Sequence, residues 1–436
     1  MFKKLPSFFK KKKKKISTKK YFSSQRILTP VHSLKIGMYV ADLDISWLES
    51  PFLFQGFEIE TAEELQQLKD VCQHVYVDSS KQKRHQGVKL ESKDKYRSDK
   101  LVIGKPPERL GTFENEISQA GMIYKETGQA VDYFMNKVVA GIGIDGKLAK
   151  ESVSACVNSV LHSPDAFLWL MQLKNKDEYT AQHSLNVCLL SIVLGRHLGL
   201  PEKELNYLGL CGMMHDMGKI LVPLEILNKP GKLDPDEMEI MQSHTSLGYE
   251  LLKSSDHIFY GAVEAALTHH ERMDGKGYPR QMPSTKLSYN SNIVAVADIY
   301  DAITSDRVYQ KGRTHHEATK IMLDVSGSHL NAQLVVKFIE SLGVYPPGCY
   351  VELSNGAVAI VLEASGVYQL RPKVLTILDE DKNVIEECIL DLSEIAFDSV
   401  GNVLSIKQII DPNDYQIDTK KYYQQGVIQR GFSNSH

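Results

Sequence analysis

Long apolar runs are missing from this chain. The longest, such as Val187 to Leu194, are far shorter than the roughly 20 residues a membrane-spanning helix needs, so no transmembrane segment is expected. A secretory leader is not expected either, because the basic N-terminus runs straight into Ile16, Ser17 and Thr18 with no apolar stretch between. Cysteine is scattered. Cys72, Cys156, Cys188, Cys211, Cys349 and Cys388 include no C-x-x-C pair, which leaves no thiolate zinc or dithiol redox motif and fits a reducing cytoplasm. No internal repeat is present. A formal net charge of -3 gives no global pull towards duplex nucleic acid, which is not an expected partner.

The chain has 436 residues, 42% hydrophobic and 24% charged, an ordinary globular composition on a chain too long for one core. Positive charge is concentrated at the start: Lys3, Lys4, the run Lys10 to Lys15, Lys19 and Lys20, interleaved with Phe2, Leu5, Phe8 and Phe9. The remainder is therefore acidic. Two readings of the tail stay open. It adheres to an anionic inner leaflet at about 1 kcal/mol per lysine near the surface, making a cytoplasmic protein peripheral at the membrane, or it is a solvated tail or an over-long start.

The expected fold class is multidomain and mainly α: an all-helical metal-binding domain, preceded by a small α/β domain and followed by a small β-rich appendage. Residues 1–25 are the basic tail. Residues 26–80 form the α/β domain, with strand-like Gly37 to Val40 and Val75 to Val77 flanking a helical Ala62 to Leu68. A polar linker over 81–112 leads to a helical connector over 113–176, with a break near Gly141 to Gly146. Helical patterns continue to about 344. From 345 to 436, Tyr350 to Leu353, Ala357 to Leu362 and Val374 to Leu378 alternate with turn residues and read as strands.

Chemistry is legible in the helical middle. A helix predicted over Glu202 to Lys219 has an apolar face of Leu205, Leu208 and Cys211, and His215 continues it. His183 shares a face with Val187 and Leu190; His244 lies between Met241 and Leu247; His270 follows Ala266 and Leu267; Asp298 follows Val294. The helix carrying His244 is expected to start at Asp234, with Pro235 in its first turn and Glu237 three residues after the cap. One histidine on an apolar face is ordinarily a core residue satisfied by a carbonyl. Five helices each aiming such a group inward would bury several polar groups, each costing about 1–3 kcal/mol if unpaired. Bound metal removes that cost, and imidazole with carboxylate suits zinc, iron or manganese. The adjacent pairs His215-Asp216 and His269-His270 present neighbouring side chains about 100° apart on a helix. Together the seven groups exceed the needs of one tetrahedral ion and favour two. A pair of ions can share and activate a water in line with a phosphorus atom.

These residues form an ordered signature. His215-Asp216 with Gly218-Lys219, then His269-His270-Glu271 leading to Asp274-Gly275-Lys276-Gly277-Tyr278-Pro279, resembles the H-D and H-H-E-x-x-D-G-x-G-Y-P motifs of HD-GYP domains. Tyr179 to Ser184, Ile226 to Leu233, and Ala297-Asp298 through Asp301-Ala302 to Arg307 agree with it. The resemblance extends over about Asp177 to Leu342, within an HD-GYP domain expected over 177–344, and is strong as a set, although a lone H-D pair is weak. It implies a phosphodiesterase that hydrolyses cyclic di-GMP to linear pGpG, and in some members to GMP, through a hydroxide bridging two ions, iron or manganese. His183, His215, Asp216 and Asp298 would hold one ion, and His244, His269 and His270, with Asp216 bridging, the other.

The resemblance also gives Lys219 a place near the scissile phosphate beside catalytic Asp216, Arg307 a phosphate contact, and Gly277 and Tyr278 a place in the substrate loop. Lys311 follows Gln310 where many members carry a basic residue, which puts one phosphate contact in doubt. Tyr179 stands where some members have a glutamate for a third ion, so two ions are expected. Implied partners are the cyclic dinucleotide and a cyclase-domain protein at the Gly-Tyr-Pro loop; a homodimer is a separate expectation that does not rest on the resemblance. The N-terminal unit, with Leu34 to Val40 and Trp47 to Phe52, resembles a domain of unknown role often found ahead of HD-GYP domains. Two alternatives remain: a hydrolase of 3',3'-cyclic GMP-AMP, or a non-hydrolysing scaffold, against which the intact ligand set counts.

Overall fold

The structure is a computed structural model that describes residues 26–45, 57–59, 62–78, 104–172, 179–306, 311–364, 370–394, 397, 401–415 and 417. The lysine-rich tail, the stretch from Trp47 to Phe52, Arg307 and Gln310 lie outside the described residues. The chain divides into two compact units.

The first unit comprises β1 (Arg26–Pro30), β2 (Tyr39–Leu43), β3 (Phe57–Glu58), α1 (Ala62–Val71) and β4 (His74–Asp78). Its sheet is antiparallel in the order β1-β4-β2-β3. Alternation sets its faces: Val75 and Val77 are buried while His74 and Tyr76 are exposed. Leu68 of α1 is fully buried, as are Val40 and Ile59. Asp44 fixes the entry to β4 by accepting from the backbone amides of Gln73 (3.0 Å) and His74 (2.7 Å).

The second unit opens with α2 (Phe113–Val139), α3 (Gly146–His162) and α4 (Pro164–Leu170). α5 (Tyr179–His197), α6 (Glu202–Met214), α7 (Leu224–Leu227), α8 (Pro235–Gln242), α9 (His244–Ser254), α10 (Tyr260–Thr268) and α11 (Tyr289–Thr304) follow, then α12 (His315–Asp324) and α13 (Ala332–Leu342). α2 is a long amphipathic helix: Phe113, Ile117, Ala120, Ile123, Thr127, Val131, Phe134 and Val138 recur every three or four residues and are buried. α5 is apolar nearly all round because it is the central helix; its Val187 to Leu194 run, too short for a bilayer, is entirely buried. No helix among the described residues is long and apolar enough to cross a membrane.

The chain ends in β5 (Tyr350–Leu353), β6 (Val358–Glu363), β7 (Lys373–Leu378), β8 (Val384–Asp391) and β9 (Ile406–Ile410), antiparallel in the order β8-β7-β6-β5-β9. Its faces again alternate. Val358, Ile360 and Leu362 join the helical core, while Ala359 and Val361 form a separate small cluster with Val351, Leu392 and Leu404. Ion pairs tie sheet to helices: Arg109 bridges Asp165 of α4 (2.8 Å) and Glu363 of β6, and Lys373 of β7 bridges Glu114 of α2 (3.2 Å) and Glu363 (3.4 Å).

Candidate metal centre

The local folding of the candidate residues differs from the helical expectation at two places. α6 stops at Met214, so His215 is its C-cap and Asp216 (φ -106°, ψ 9°) begins a tight 3-10 turn over Met217–Leu221. Gly218 shows why the helix cannot continue to Lys219. A Cβ there would lie 1.9 Å from the carbonyl oxygen of His244 and 2.4 Å from the amide nitrogen of Gly248, so only a glycine lets this turn lie against the backbone of α9. The helix expected from Asp234 through His244 is two. α8 carries the expected capping box of Asp234 and Glu237, and α9 starts at His244. His269 is the C-cap of α10. Both adjacent pairs therefore sit at helix ends rather than on continuous helical faces, and the break turns both members of each pair towards one interior.

There the seven groups meet. Asp216, His244, His269 and His270 form one set of potential ligand atoms within 4.8 Å of one another, and His183, His215 and Asp298 form a second. Asp216 faces both. Its Oδ2 lies 3.4 Å from His183 Nε2 and 3.2 Å from His215 Nε2, while its Oδ1 lies 3.4 Å from His244 Nε2 and 3.6 Å from His269 Nε2. Asp298 Oδ1 is 3.1 Å from His183 Nε2 and 3.8 Å from His215 Nε2.

The ring orientations follow from the far nitrogens. His215, His244 and His269 each donate Nδ1–H to a carbonyl one turn back, on Gly212 (2.7 Å), Met241 (2.7 Å) and Ala265 (2.9 Å). A neutral imidazole bonded in that way presents a lone pair at Nε2. The Nε2 atoms of His244 and His269 face each other at 3.5 Å, and two lone pairs so placed repel unless a cation lies between. His215 Nε2 and Asp216 Oδ1 are buried and make no hydrogen bond. Such converging lone pairs, all nitrogen and oxygen, fit a pair of first-row divalent ions.

Electrostatics agree. Burial pushes the His244 imidazole down to about 4. Burial and the neighbouring His269 hold His270 well below the usual range. Burial alone would raise Asp216, but the neighbouring His215 and Lys219 and the bond from His183 hold it well below the usual carboxylate range. Burial would likewise lower His183, yet its bonds to Asp216, Asp298 and Asp301 carry it well above. Positive charge at Nε2 offsets the facing Asp216 and Asp298 carboxylates, and a metal ion would take over that role with release of the Nε2 proton.

Around the centre, Lys219 Nζ pairs with Asp216 Oδ2 and its side chain is 23% exposed, so a fixed positive charge borders the cluster within reach of solvent. Tyr278 stacks on His270 with ring centroids 4.7 Å apart, and the Tyr278-Pro279 peptide is cis. Gly277 has backbone neighbours on its side-chain side: an added Cβ would lie 2.4 Å from Arg272 N and 2.5 Å from His270 O. This glycine is thus needed to fold the loop onto the His270–Arg272 segment. Lys311 pairs with Asp411 at 2.5 Å and is largely exposed.

Sequence reasoning gave no role to several residues that shape the site. Glu271, 4% exposed, accepts from the amides of Arg280 (2.7 Å) and Met282 (3.0 Å) and so anchors the Gly-Tyr-Pro loop. Asp301 accepts from His183 Nδ1 at 2.7 Å and from Asn186 Nδ2 at 2.9 Å. The available signal was spacing: Asp301 follows Asp298 by three, and Asn186 follows His183 by three, so each shares a helix face with a ligand candidate.

Comparison with known proteins divides the chain at a different place from the two compact units. Residues 170–334 match the HD domain family, and residues 26–149 match a domain of unknown function (DUF3391). A cyclic di-GMP phosphodiesterase of Pseudomonas aeruginosa is 36% identical over 371 residues, 83% of this chain and 88% of that protein. A cyclic di-GMP phosphodiesterase of Thermotoga maritima is 37% identical over 166 residues, 38% of this chain and 45% of that protein. A 3',3'-cGAMP-specific phosphodiesterase of Vibrio cholerae is 35% identical over 162 residues, 37% of this chain and 31% of that protein.

Proposed function

Because the chain belongs to the cyclic di-GMP phosphodiesterase family that carries an HD domain, and is a cyclic dinucleotide phosphodiesterase, we propose that it linearises cyclic di-GMP to pGpG. Hydrolysis breaks one P–O3' bond, places the oxygen of water on phosphorus and returns a proton to the departing 3'-oxygen. The observation that carries this reading is the division of Asp216 between two sets of imidazoles, one facing each carboxylate oxygen.

His183, His215 and Asp298 would hold one ion and His244, His269 and His270 the other, with Asp216 shared. Iron or manganese suits these donors. When bound, two divalent ions supply Lewis acidity to the phosphodiester and lower the pKa of water. The protein's own residues supply the rest. The Nδ1–H bonds hold the rings of His183, His215, His244 and His269 each in one tautomer with Nε2 inward. Lys219 borders the cluster, where an ammonium stabilises charge growing on the phosphoryl oxygens. Tyr278, stacked on His270, walls the site on the loop side, and Glu271 keeps that loop in place. Arg307 and Lys311 would add phosphate contacts.

The test is turnover by the full chain, purified anaerobically, of cyclic di-GMP and 3',3'-cyclic GMP-AMP in parallel, with products resolved by chromatography. The expected result is pGpG from cyclic di-GMP at the higher kcat/KM. Preference for cyclic GMP-AMP would replace the proposed substrate, and tight binding of either without turnover would overturn the hydrolytic reading.

A further inference from the structure

One imidazole of the centre is oriented differently from its neighbours. His215, His244 and His269 are each fixed by a carbonyl one turn back in their own segment, whereas His183 on α5 gives its Nδ1 to Asp301 on α11 at 2.7 Å. The bond continues outward. Asp301 Oδ1 accepts from Asn186 Nδ2 at 2.9 Å, Asn186 Oδ1 accepts from the Tyr124 hydroxyl at 2.9 Å, and that hydroxyl accepts from Gln182 Nε2 at 3.1 Å.

Each link points the same way. With Gln182 donating to the phenol oxygen, the phenol proton goes to Asn186 Oδ1. That choice turns the Asn186 amide so that Nδ2 faces Asp301. The carboxylate then has one oxygen committed to Asn186 and the other to His183 Nδ1–H, which leaves Nε2 aimed at Asp298 (3.1 Å) and Asp216 (3.4 Å). Asp301 and Asn186 are each 1% exposed, so water does not substitute readily for either link.

Tyr124 lies on α2, inside the stretch 26–149 that matches the domain of unknown function, whereas α5 and α11 lie inside the HD stretch 170–334. We propose that Tyr124 is a positioning residue for the metal centre: through Asn186 and Asp301 it fixes the tautomer and direction of His183, so that a helix from outside the HD stretch helps to set the affinity of one ion. The proposal rests on the metal-centre reading above.

The experiment is a double-mutant cycle on the full chain with Tyr124→Phe, Asp301→Asn and both. Tyr124→Phe deletes one oxygen and keeps the ring. Both Mn2+ dissociation constants are measured by competition with a chromophoric chelator, alongside the melting midpoint of the metal-free protein. Loss of a carboxylate partner to a ligating histidine weakens metal binding by about 10-fold to 100-fold. Asp301→Asn should do so for one of the two ions, Tyr124→Phe should weaken the same ion by about 3-fold to 10-fold, and the double variant should match Asp301→Asn within about 2-fold. Should Asp301→Asn fail to fold, Asn186→Ala takes its place in the cycle. Wild-type Mn2+ affinities in Tyr124→Phe, whatever its melting point, would overturn the proposal, as would additive losses in the double variant or absence of two-ion binding by the wild type. Failure to hydrolyse cyclic di-GMP would sink the proposed function and leave this cycle readable on metal affinity alone.

Discussion

Replacing Gly218 by alanine should dismantle the centre without touching a ligand. The added Cβ would stand 1.9 Å from His244 O, 2.4 Å from Gly248 N and 2.8 Å from Gly248 Cα, all backbone atoms that cannot rotate away. Ordinary contact begins near 3.4 Å, so the turn and α9 must part by about 1.5 Å (3.4 less 1.9). That displacement acts directly on Asp216 Oδ1 and His244 Nε2, 3.4 Å apart, because Asp216 is two residues before the glycine and His244 carries the clashing carbonyl. Overpacking against a rigid neighbour costs about 1–3 kcal/mol, and a misplacement of about 1 Å at a reacting centre costs about 100-fold in rate. Gly218→Ala should therefore stay folded, melt lower, and lose at least one ion together with about 100-fold in kcat/KM. The assays are urea denaturation, metal content and turnover of cyclic di-GMP. Unchanged metal content and turnover would refute the close approach as the device that sets Asp216 against His244.

Further outcomes follow from other contacts. Glu264 on α10 is pushed up to about 7, by burial first, against the opposing charge of Arg280 and a bond from Ser288. A carboxyl raised from 4.5 keeps its proton longer when folded, so stability is lost as pH rises from about 4.5 to 7, by about 3 kcal/mol at 1.36 kcal/mol per unit. Glu264→Gln should thus be the more stable protein at pH 8 and nearly equal to wild type at pH 4.5; denaturation at the two pH values decides it. Glu271→Gln forces an amide N–H towards the Arg280 or Met282 amide, and loss of one charge-assisted bond of about 1.5–3 kcal/mol should raise KM about 10-fold or more while metal content holds. Lys219→Gln should lower kcat about 100-fold with both ions retained; unchanged kcat would remove Lys219 from the reaction. Deleting residues 1–20 should abolish salt-sensitive binding to anionic vesicles, and salt-insensitive or unchanged binding would leave the tail without a membrane role.

The candidate ligands were legible because burying His183, His215, His244, His270 and Asp298 on apolar faces is costly without a partner, and a cost repeated on five helices is visible in the pattern alone. The Asp234 capping box was legible for a local reason, since cap and partner are three residues apart. Gly218 was less so. Its neighbours, His244 and Gly248, are distant in sequence, so the break of α6 at Met214 depends on tertiary packing that periodicity does not encode. Asp301 and Asn186 carried a spacing signal. Tyr124 carried none, being a tyrosine on an amphipathic helix whose partner arrives from α5. The strands β8 and β9 are less legible: both are edge strands, and β8 exposes Val384, Glu386 and Cys388 in alternation with half-buried residues that include Glu387, so neither presents the apolar stretch that marks β5, β6 and β7.

The most direct test of the shared-carboxylate centre is metal stoichiometry in three anaerobically purified proteins: wild type, His183→Ala and Asp216→Ala. Two ions per chain are predicted for the wild type, one for His183→Ala, and close to none for Asp216→Ala, whose helical circular dichroism should be preserved while cyclic di-GMP hydrolysis disappears. A folded Asp216→Ala protein that still holds an ion tightly and still turns over substrate, or a wild type that saturates at one ion, would contradict it.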